Sequence, residues 1–224
     1  MEQDLFQAIR SFGASDAASA RVVDGPPGLP FAVSVAVRLS DAIIDEIGAE
    51  PTYTYFNHYR SVNYLIDQVL LRTGLWLQER GARYLTVAAS QSRPDSPFEG
   101  RYSHKKSACL AGLGSMGRNG LFLHREWGPR VRLGTLFTDW PGCDCTVPPP
   151  AAPVALHPAC AHCHICVSSC PSGALGVAGD GPAVPGNAVF HPERCSSWMK
   201  RNWQHIGRGA VCGICIRVCP LRGD

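Results

Sequence analysis

Apolar positions along the chain change rhythm from helical to strand-like and back. Leu5, Phe6 and Ile9 fall on one side of a helix expected over residues 3–12, with Gly13 as its stop. After a turn-rich stretch through Gly25, Pro26, Pro27 and Gly28, the valine-rich run Phe31–Arg38 reads as a strand. From about Tyr53 to Arg80, the positions Val62, Leu65, Ile66, Val69, Leu70 and Leu77 keep the i, i+3, i+4 spacing of a long helix with one buried face. Thr52 is placed to cap its start and Gly81 its end. Tyr84–Ala89 follows as a strand. Beyond the loop Gln91–Gly100, a short helix over Lys105–Leu110 runs into a glycine-rich segment, and Leu121–His124 and Val131–Thr138 are expected to close the sheet of a first domain. The mixture gives an α/β (α+β) class.

Composition sets the boundary. Pro148, Pro149, Pro150 and Pro153 make a stiff, extended stretch, so a first domain is expected over 1–147, a proline-rich linker over 148–156 and a second domain over 157–224. Gly176–Gly186, rich in glycine and proline, reads as an exposed loop. Hydrophobic residues make up 45% of the chain and charged ones 17%, as in ordinary globular proteins, and the longest apolar run, Phe31 to Val37, is too short to cross a bilayer. No membrane association is expected. The first residues carry no apolar signal core, and eleven cysteines without one point to the reducing cytoplasm.

Charge is uneven. Residues 1–100 hold 8 Lys/Arg against 12 Asp/Glu, whereas residues 101–224 hold 13 against 6. The basic half reads either as a solvated surface compensating negative metal centres or as a site for a phosphate-bearing or acidic ligand. No basic tract is interleaved with aromatics, so nucleic acid is not expected as a partner.

The chemistry lies in the cysteines. Cys160-x2-Cys163-x2-Cys166-x3-Cys170-Pro171 is followed by Cys195 and then by Cys212-x2-Cys215-x3-Cys219-Pro220. Three thiolates two residues apart wrap one cubane, and the fourth, before proline, points to another. The spacing therefore predicts two [4Fe-4S] clusters, one on Cys160, Cys163, Cys166 and Cys219, the other on Cys170, Cys195, Cys212 and Cys215. A zinc site is the better of two rivals, but the run offers one ligand too many; a disulfide framework suits a short secreted chain. Cys109 reads as a small buried hydrophobe. Cys143 and Cys145 read as ordinary loop residues, with metal binding or thiol chemistry as the alternative.

Gly112-x-Gly114-x-x-Gly117 matches the dinucleotide fingerprint as a string, but a helix precedes it where a strand should, with Asp139 as the only acid at a tolerable distance. The three glycines serve either a tight turn or close approach of backbone to a ligand. A wider match runs from Ser103-His104-Lys105-Lys106 through Gly112-Leu113-Gly114-Ser115-Met116-Gly117-Arg118-Asn119 to Gly128-Pro129-Arg130-Val131-Arg132-Leu133-Gly134-Thr135 and Thr138-Asp139. Over about residues 53–224 the chain resembles the epoxyqueuosine reductase and reductive dehalogenase-like family of corrinoid iron–sulfur proteins, as a short member. The resemblance implies a nitroreductase-like core holding a cobalamin, followed by a dicluster bacterial ferredoxin-like domain. It assigns Gly112, Gly114, Gly117, Arg118, Asn119 and Lys105 to the cofactor, with a flavin as the alternative occupant of the same cradle.

Epoxyqueuosine reductases carry an Asp-Ser-Ala-Pro-type segment ahead of the glycine motif, whose aspartate gives the substrate a proton. Here that position falls near Phe98, with Asp95 and Glu99 the nearest acids and His104 the nearest other donor. His104 is therefore the candidate catalytic residue, and epoxyqueuosine itself is not the expected substrate. His58, Tyr59 and Arg60, near the start of the long helix, read as a polar face. The expected function is reduction of a small-molecule or nucleoside-like substrate by a cobalamin-dependent reductase, fed by a ferredoxin or flavodoxin-like donor. The alternative is a non-catalytic electron carrier or corrinoid-protein activator.

Overall fold

The computed structural model describes residues 2–143, 154–177, 183–184, 188–207 and 211–222. The prolines at 148–153 and Cys145 lie outside the described residues. In chain order the elements are α1 (Glu2–Ser11), β1 (Asp16–Arg21), β2 (Phe31–Arg38), α2 (Asp41–Asp45), α3 (Tyr53–Gln78), β3 (Tyr84–Val87), α4 (His104–Leu110), β4 (Gly114–Met116), β5 (Phe122–His124), β6 (Val131–Thr138), α5 (Ile165–Ser168), β7 (Leu175–Val177), β8 (Ala183–Val184), β9 (Ala188–Phe190), α6 (Pro192–Trp203) and α7 (Ile214–Arg217). No helix among the described residues is long and apolar enough to cross a membrane.

The chain folds into two units that interleave in sequence. The first comprises Met1–Arg38, Val62–Gly114 and Arg132–Val154, the second Leu39–Ser61, Ser115–Val131 and Ala155–Asp224. This differs from the contiguous division expected from the proline run. Segments 39–61 and 115–131 join the cysteine-rich part. Ile44, Ile47, Tyr55, Phe122 and Leu123 supply buried surface to it. Tyr55 and Ile47 press so close on Gly213 that a Cβ there would lie 2.5 and 2.6 Å from them, and Gly213 takes a positive φ of 81°.

A four-stranded sheet in the order β1-β2-β6-β3 organises the first unit, with β1 antiparallel to β2 and β3 antiparallel to β6. Every residue of β2 before Arg38 is buried, as a run of valines and alanines requires. β1, Asp-Ala-Ala-Ser-Ala-Arg, pairs with β2 along its full length. Its small side chains leave room for α1 and α4, which pack against it. A buried pair of hydroxyls, Ser34 Oγ and Ser107 Oγ at 2.6 Å, ties β2 to α4. Beneath lies a cluster of Val22, Leu29, Ala32, Val87 and Phe137, with the Tyr102 ring edge-on to Phe137 at 4.9 Å. Emptying such a site by Phe→Ala costs about 3–5 kcal/mol.

The second unit holds two smaller sheets. Phe122–His124 does not extend the large sheet as expected: β5 pairs with β4. The hydrogen bonds Gly117 N–H to Leu121 O (2.8 Å) and Gly120 N–H to Gly117 O (3.0 Å) fold the chain back on itself there. Gly176–Gly186, expected as a loop, contributes strands instead, β7-β9-β8 forming a three-stranded sheet; the apolar residues at 175, 177, 184 and 189 are too scattered among glycines to read as strands. Arg130, 1% exposed, pairs with Asp41 at 2.8 Å and Asp45 at 2.6 Å, fastening α2. The two carboxylates stand at the surface, so solvent screens the charge part of this contact.

Candidate metal centres

Eight cysteines of the second unit line two hollows. Cys160, Cys163, Cys166 and Cys219 surround the first, with Leu123, Pro220 and Arg118 beside them. Cys160 ends a one-turn helix, Pro158–Cys160, whose start is capped by His157 Nδ1 accepting from Ala159 N–H at 3.2 Å. Cys166 rides on α5, and Cys219 follows α7, its N–H donating to Ile216 O at 3.3 Å. Arg118, 5% exposed, donates from Nε (3.1 Å) and Nη2 (2.7 Å) to Cys160 O and from Nη2 to Ala161 O (3.1 Å). That fork fixes the backbone on which the first ligand stands.

Cys170, Cys195, Cys212 and Cys215 line the second hollow, whose other walls are largely apolar: Leu175, Phe190, Trp198, Met199, Trp203 and Ile216 among them. Asn119 lines both hollows and donates to Cys215 O at 3.3 Å. Burial, and then the neighbouring sulfurs, pushes Cys166 up to about 11 and Cys212 up to about 12. Burial holds Cys215 well above the ordinary thiol range. Cys170 falls below it. There burial is outweighed by the Ser172 hydroxyl at 3.2 Å and by the backbone N–H groups of Ser172, Ala174 and Leu175. Buried thiols of this kind stay protonated until a cationic core displaces the protons.

The donor sets fit iron–sulfur clusters. Among the described residues no three His, Cys, Asp or Glu side chains are placed to hold a single metal ion; the sulfurs surround hollows rather than a point. The Trp198 indole, on the wall of the second hollow, keeps its Nε1 buried and without a partner.

Residues expected at a cofactor are placed unevenly. Arg118 and Asn119 bind carbonyls of the cysteine loops. Gly112 is the left-handed residue (φ 73°) that closes α4, its N–H donating to Cys109 O and that of Leu113 to Ala108 O, both at 3.0 Å. At Gly117 a Cβ would lie 2.6 Å from Asn119 Oδ1. Both glycines thus serve the turn. Lys105 lines a wide hollow of the first unit, about 1140 Å3 including its mouth, whose wall runs through Ala88–Ser92 and Phe98–His104. Burial holds the Lys105 amine below its ordinary value. Its wall is small and polar, and of the residues expected at the cofactor Lys105 lines it.

His104 is corrected as well. Its Nε2 lies 3.1 Å from Ala88 O and its Nδ1 2.8 Å from Thr135 Oγ1. A carbonyl only accepts, so Nε2 carries the hydrogen and Nδ1 accepts from the threonine. Burial lowers its pKa further, with the Arg132 charge acting in the same direction. The Nε2 hydrogen is engaged by the Ala88 carbonyl. Asp95 pairs with Arg93, whose hydrogen bonds hold its carboxyl below the usual range. Asp139 grips Arg83 at 2.6 Å rather than a ribose.

Residues 159–222 match the family model of the 4Fe-4S dicluster domain, which spans all eight cysteines. Tetrachloroethene reductive dehalogenase of Sulfurospirillum multivorans is 31% identical over 119 residues, 51% of this chain and 22% of that protein. Epoxyqueuosine reductase of Synechococcus sp. (strain RCC307) is 27% identical over 203 residues, 87% of this chain and 55% of that protein. The chain is a relative of the epoxyqueuosine reductases and reductive dehalogenases. It spans about a fifth to just over half the length of these relatives. A solved catabolic reductive dehalogenase has the same fold over 97% of this chain and 31% of its own, with a TM-score of 0.71 at 17% identity. The epoxyqueuosine reductase of Streptococcus thermophilus matches over 100% of this chain and 68% of its own, with a TM-score of 0.64 at 14% identity. The chain is thus of an iron–sulfur reductase family with a dicluster domain.

The sequence reading missed Trp198. A signal was present: Trp198 stands three residues after Cys195 on α6, the spacing that brings two side chains to one helix face.

Proposed function

We propose that the chain is an iron–sulfur oxidoreductase that relays single electrons through two [4Fe-4S] clusters to a bound corrinoid, for reduction of a small or nucleoside-like substrate. One cluster takes Cys160, Cys163, Cys166 and Cys219, the other Cys170, Cys195, Cys212 and Cys215. The observation that carries the reading is the division of eight cysteines into two hollows of four, each set joining the early and the late cysteine run. A ferredoxin- or flavodoxin-like protein is the proposed electron donor, in the reducing cytoplasm. A relative named epoxyqueuosine reductase supports a nucleoside-like substrate.

The clusters, when bound, supply one-electron carriers whose potentials follow charge, hydrogen bonding and exposure. Arg118 holds the Cys160 loop by its carbonyls, Asn119 holds Cys215, and the Ser172 hydroxyl donates to the Cys170 sulfur. Apolar walls exclude water from the second set. The corrinoid, when bound, supplies low-valent cobalt able to reduce an organic substrate. Lys105 and the wall at Ala88–Ser92 would hold it in this reading.

The carrier or activator reading is favoured by one observation: neither His104 nor Asp95 is free to give a proton. Protein made anaerobically with cobalamin supplied decides between them. About eight irons and one cobalt per chain is the expected result, two four-iron clusters being the premise. Eight irons with no cobalt selects the carrier, a flavin spectrum in place of cobalt selects the flavin cradle, and fewer than eight irons in intact anaerobic protein overturns the cluster assignment. Little conversion of epoxyqueuosine is expected even from fully loaded protein, because a positioned proton donor contributes about a hundredfold to ten-thousandfold. Conversion at the rate of an established epoxyqueuosine reductase would overturn that expectation.

A further inference from the structure

α6 has two unlike sides. Cys195, Trp198, Met199 and Trp203 line the second hollow. Away from it stand Arg194, Ser197 and Arg201, all exposed and at the i, i+3, i+7 spacing that keeps side chains on one helix face, with Lys200 exposed beside them. The helix dipole accounts for Lys200 and Arg201, which lie in the last turn, but a cation in the first turn works against it, and Arg194 stands there. Several exposed cations elsewhere are matched by acids: Arg83 meets Asp139 at 2.6 Å and Arg10 meets Asp16 at 3.2 Å. Among the described residues no ion pair takes up Arg194, Lys200 or Arg201. Glu193 is the only acid among the described residues from 188 to 222, against Arg194, Lys200, Arg201, Arg217 and Arg222.

We infer that the outer face of α6 is the docking surface for an acidic one-electron donor protein, which passes its electron to the cluster held by Cys170, Cys195, Cys212 and Cys215. The inference rests on the two-cluster reading above and gives its donor a place. Opposite charge steers the encounter and fixes the register of the partners. Because Cys195 rides on the same helix, a protein seated on the outer face lies one helix width, ~10 Å, from the ligand side. One electron leaves the donor's reduced centre and enters the cluster; the donor is oxidised by one, the cluster is reduced by one, and no proton or bond changes hands. Nucleic acid suits this face less well, since its exposed residues offer no aromatic ring on which a base could stack.

The chain has three lysines, Lys105, Lys106 and Lys200, and of these Lys200 alone belongs to α6. Iron-loaded protein mixed anaerobically with a plant-type [2Fe-2S] ferredoxin, an acidic one-electron carrier, and treated with a carbodiimide should give a conjugate joined through Lys200. In stopped flow with the reduced ferredoxin, Arg194→Gln/Lys200→Gln/Arg201→Gln should accept electrons about tenfold more slowly than wild type at low salt and equally fast at high salt. Its iron content and its reduction by a photoreduced deazaflavin should not change. Arg21→Gln/Arg38→Gln/Arg72→Gln removes the same net charge from exposed positions of the first unit and should stay fast. Equal slowing of both triple variants, or of neither, overturns the inference. So does a conjugate joined elsewhere, or none; that arm needs no variant and stands even if the α6 substitutions release iron. Competition by tRNA that abolishes the Lys200 conjugate, with ferredoxin reduction left at full rate, would assign the face to nucleic acid and likewise overturn it. A wild type without two four-iron clusters would instead overturn the reading on which the inference rests.

Discussion

The two cysteine hollows differ in what surrounds their sulfurs. The first takes three ligands from seven consecutive residues, and a buried guanidinium grips the backbone between them. The second collects four ligands from three separate stretches, and its wall is aromatic and aliphatic, without a cation. The first set is therefore prepared locally, by short turns and one arginine. The second exists only once α6, α7 and the loop after α5 have packed. In the proposed two-cluster reading the same contrast would act on electrons. A cation near a cluster favours the added charge, whereas an apolar wall disfavours it, so a cluster in the first hollow would be the better resting place for an electron and one in the second the better donor.

Removing one ligand from each hollow breaks the comparison most severely. Cys219→Ala should leave the first hollow with three sulfurs and bring iron from about eight to about four per chain, with the second cluster's resonance intact. Cys212→Ala should do the reverse. If either variant keeps both resonances, the division of the cysteines is wrong. Cys219→Ala should also free the segment after α7, whereas Cys212→Ala should loosen the packing of α6, since the second set depends on tertiary contacts. Limited proteolysis of the two variants would report that difference.

Arg118 comes next in size. Arg118→Gln removes the buried charge and leaves the carbonyls of Cys160 and Ala161 short of donors. Each unsatisfied buried group costs about 1–3 kcal/mol. The first cluster should become more labile to chelators, and its reduced fraction at fixed potential should fall about tenfold or more, on the scale of ~59 mV per tenfold. Arg118→Lys retains the charge without the planar fork, so it should keep the potential and lose part of the chelator resistance. A fall in the second cluster's potential instead would place the cation's effect on the wrong hollow.

These hollows were legible from spacing because ferredoxin-type ligands stand at fixed intervals along the chain. Their surroundings were not. Arg118 meets its carbonyl 42 residues away and Asn119 meets its own 96 residues away, distances no local pattern carries. The glycine motif invited a ligand, yet Gly112 closes α4 and Gly117 belongs to the turn from β4 into β5. In the first unit, β2, α3 and β6 announced themselves by valine runs and helical periodicity. β1 did not, because Asp16–Arg21 is built of small residues with weak strand preference, and pairing with β2 makes it a strand. The proline run marked a break in composition, but not which unit residues 39–61 would join.

His104 tests whether the comparison is confined to the second unit. Burial lowers its pKa from the ordinary 6.5, so the unfolded chain takes up a proton first as pH falls. The stability owed to neutral His104 is full above that ordinary value and is lost as pH falls from it through the folded-state value. His58 acts in the same direction, its Nε2 accepting from Ser40 N–H at 3.1 Å. His104→Gln should reduce the slope of unfolding free energy against pH between about 6.5 and 5 by up to about 1.4 kcal/mol per pH unit. Both cluster resonances should persist unchanged. An unaltered slope in chemical denaturation would mean that His104 titrates normally and is available as a proton donor after all.

The smallest expected effect lies within the second hollow. Ser172 Oγ is 3.2 Å from Cys170 Sγ and accepts from Ala174 N–H at 3.2 Å. Toward a ligating thiolate the hydroxyl is the donor, one of the few polar contacts this apolar hollow provides. Ser172→Ala deletes it while the backbone N–H groups around Cys170 remain. A neutral hydrogen bond contributes about 0.5–1.5 kcal/mol net, and only its strengthening on reduction reaches the potential. The second cluster's reduced fraction at fixed potential should therefore fall by about two- to threefold, less than the tenfold expected at the first cluster for Arg118→Gln, with the first cluster unmoved. Ser172→Thr, which retains the hydroxyl, should restore it. If Ser172→Ala matches Arg118→Gln in effect, the hydroxyl governs its hollow as strongly as the guanidinium governs the other, and the contrast between the two fails.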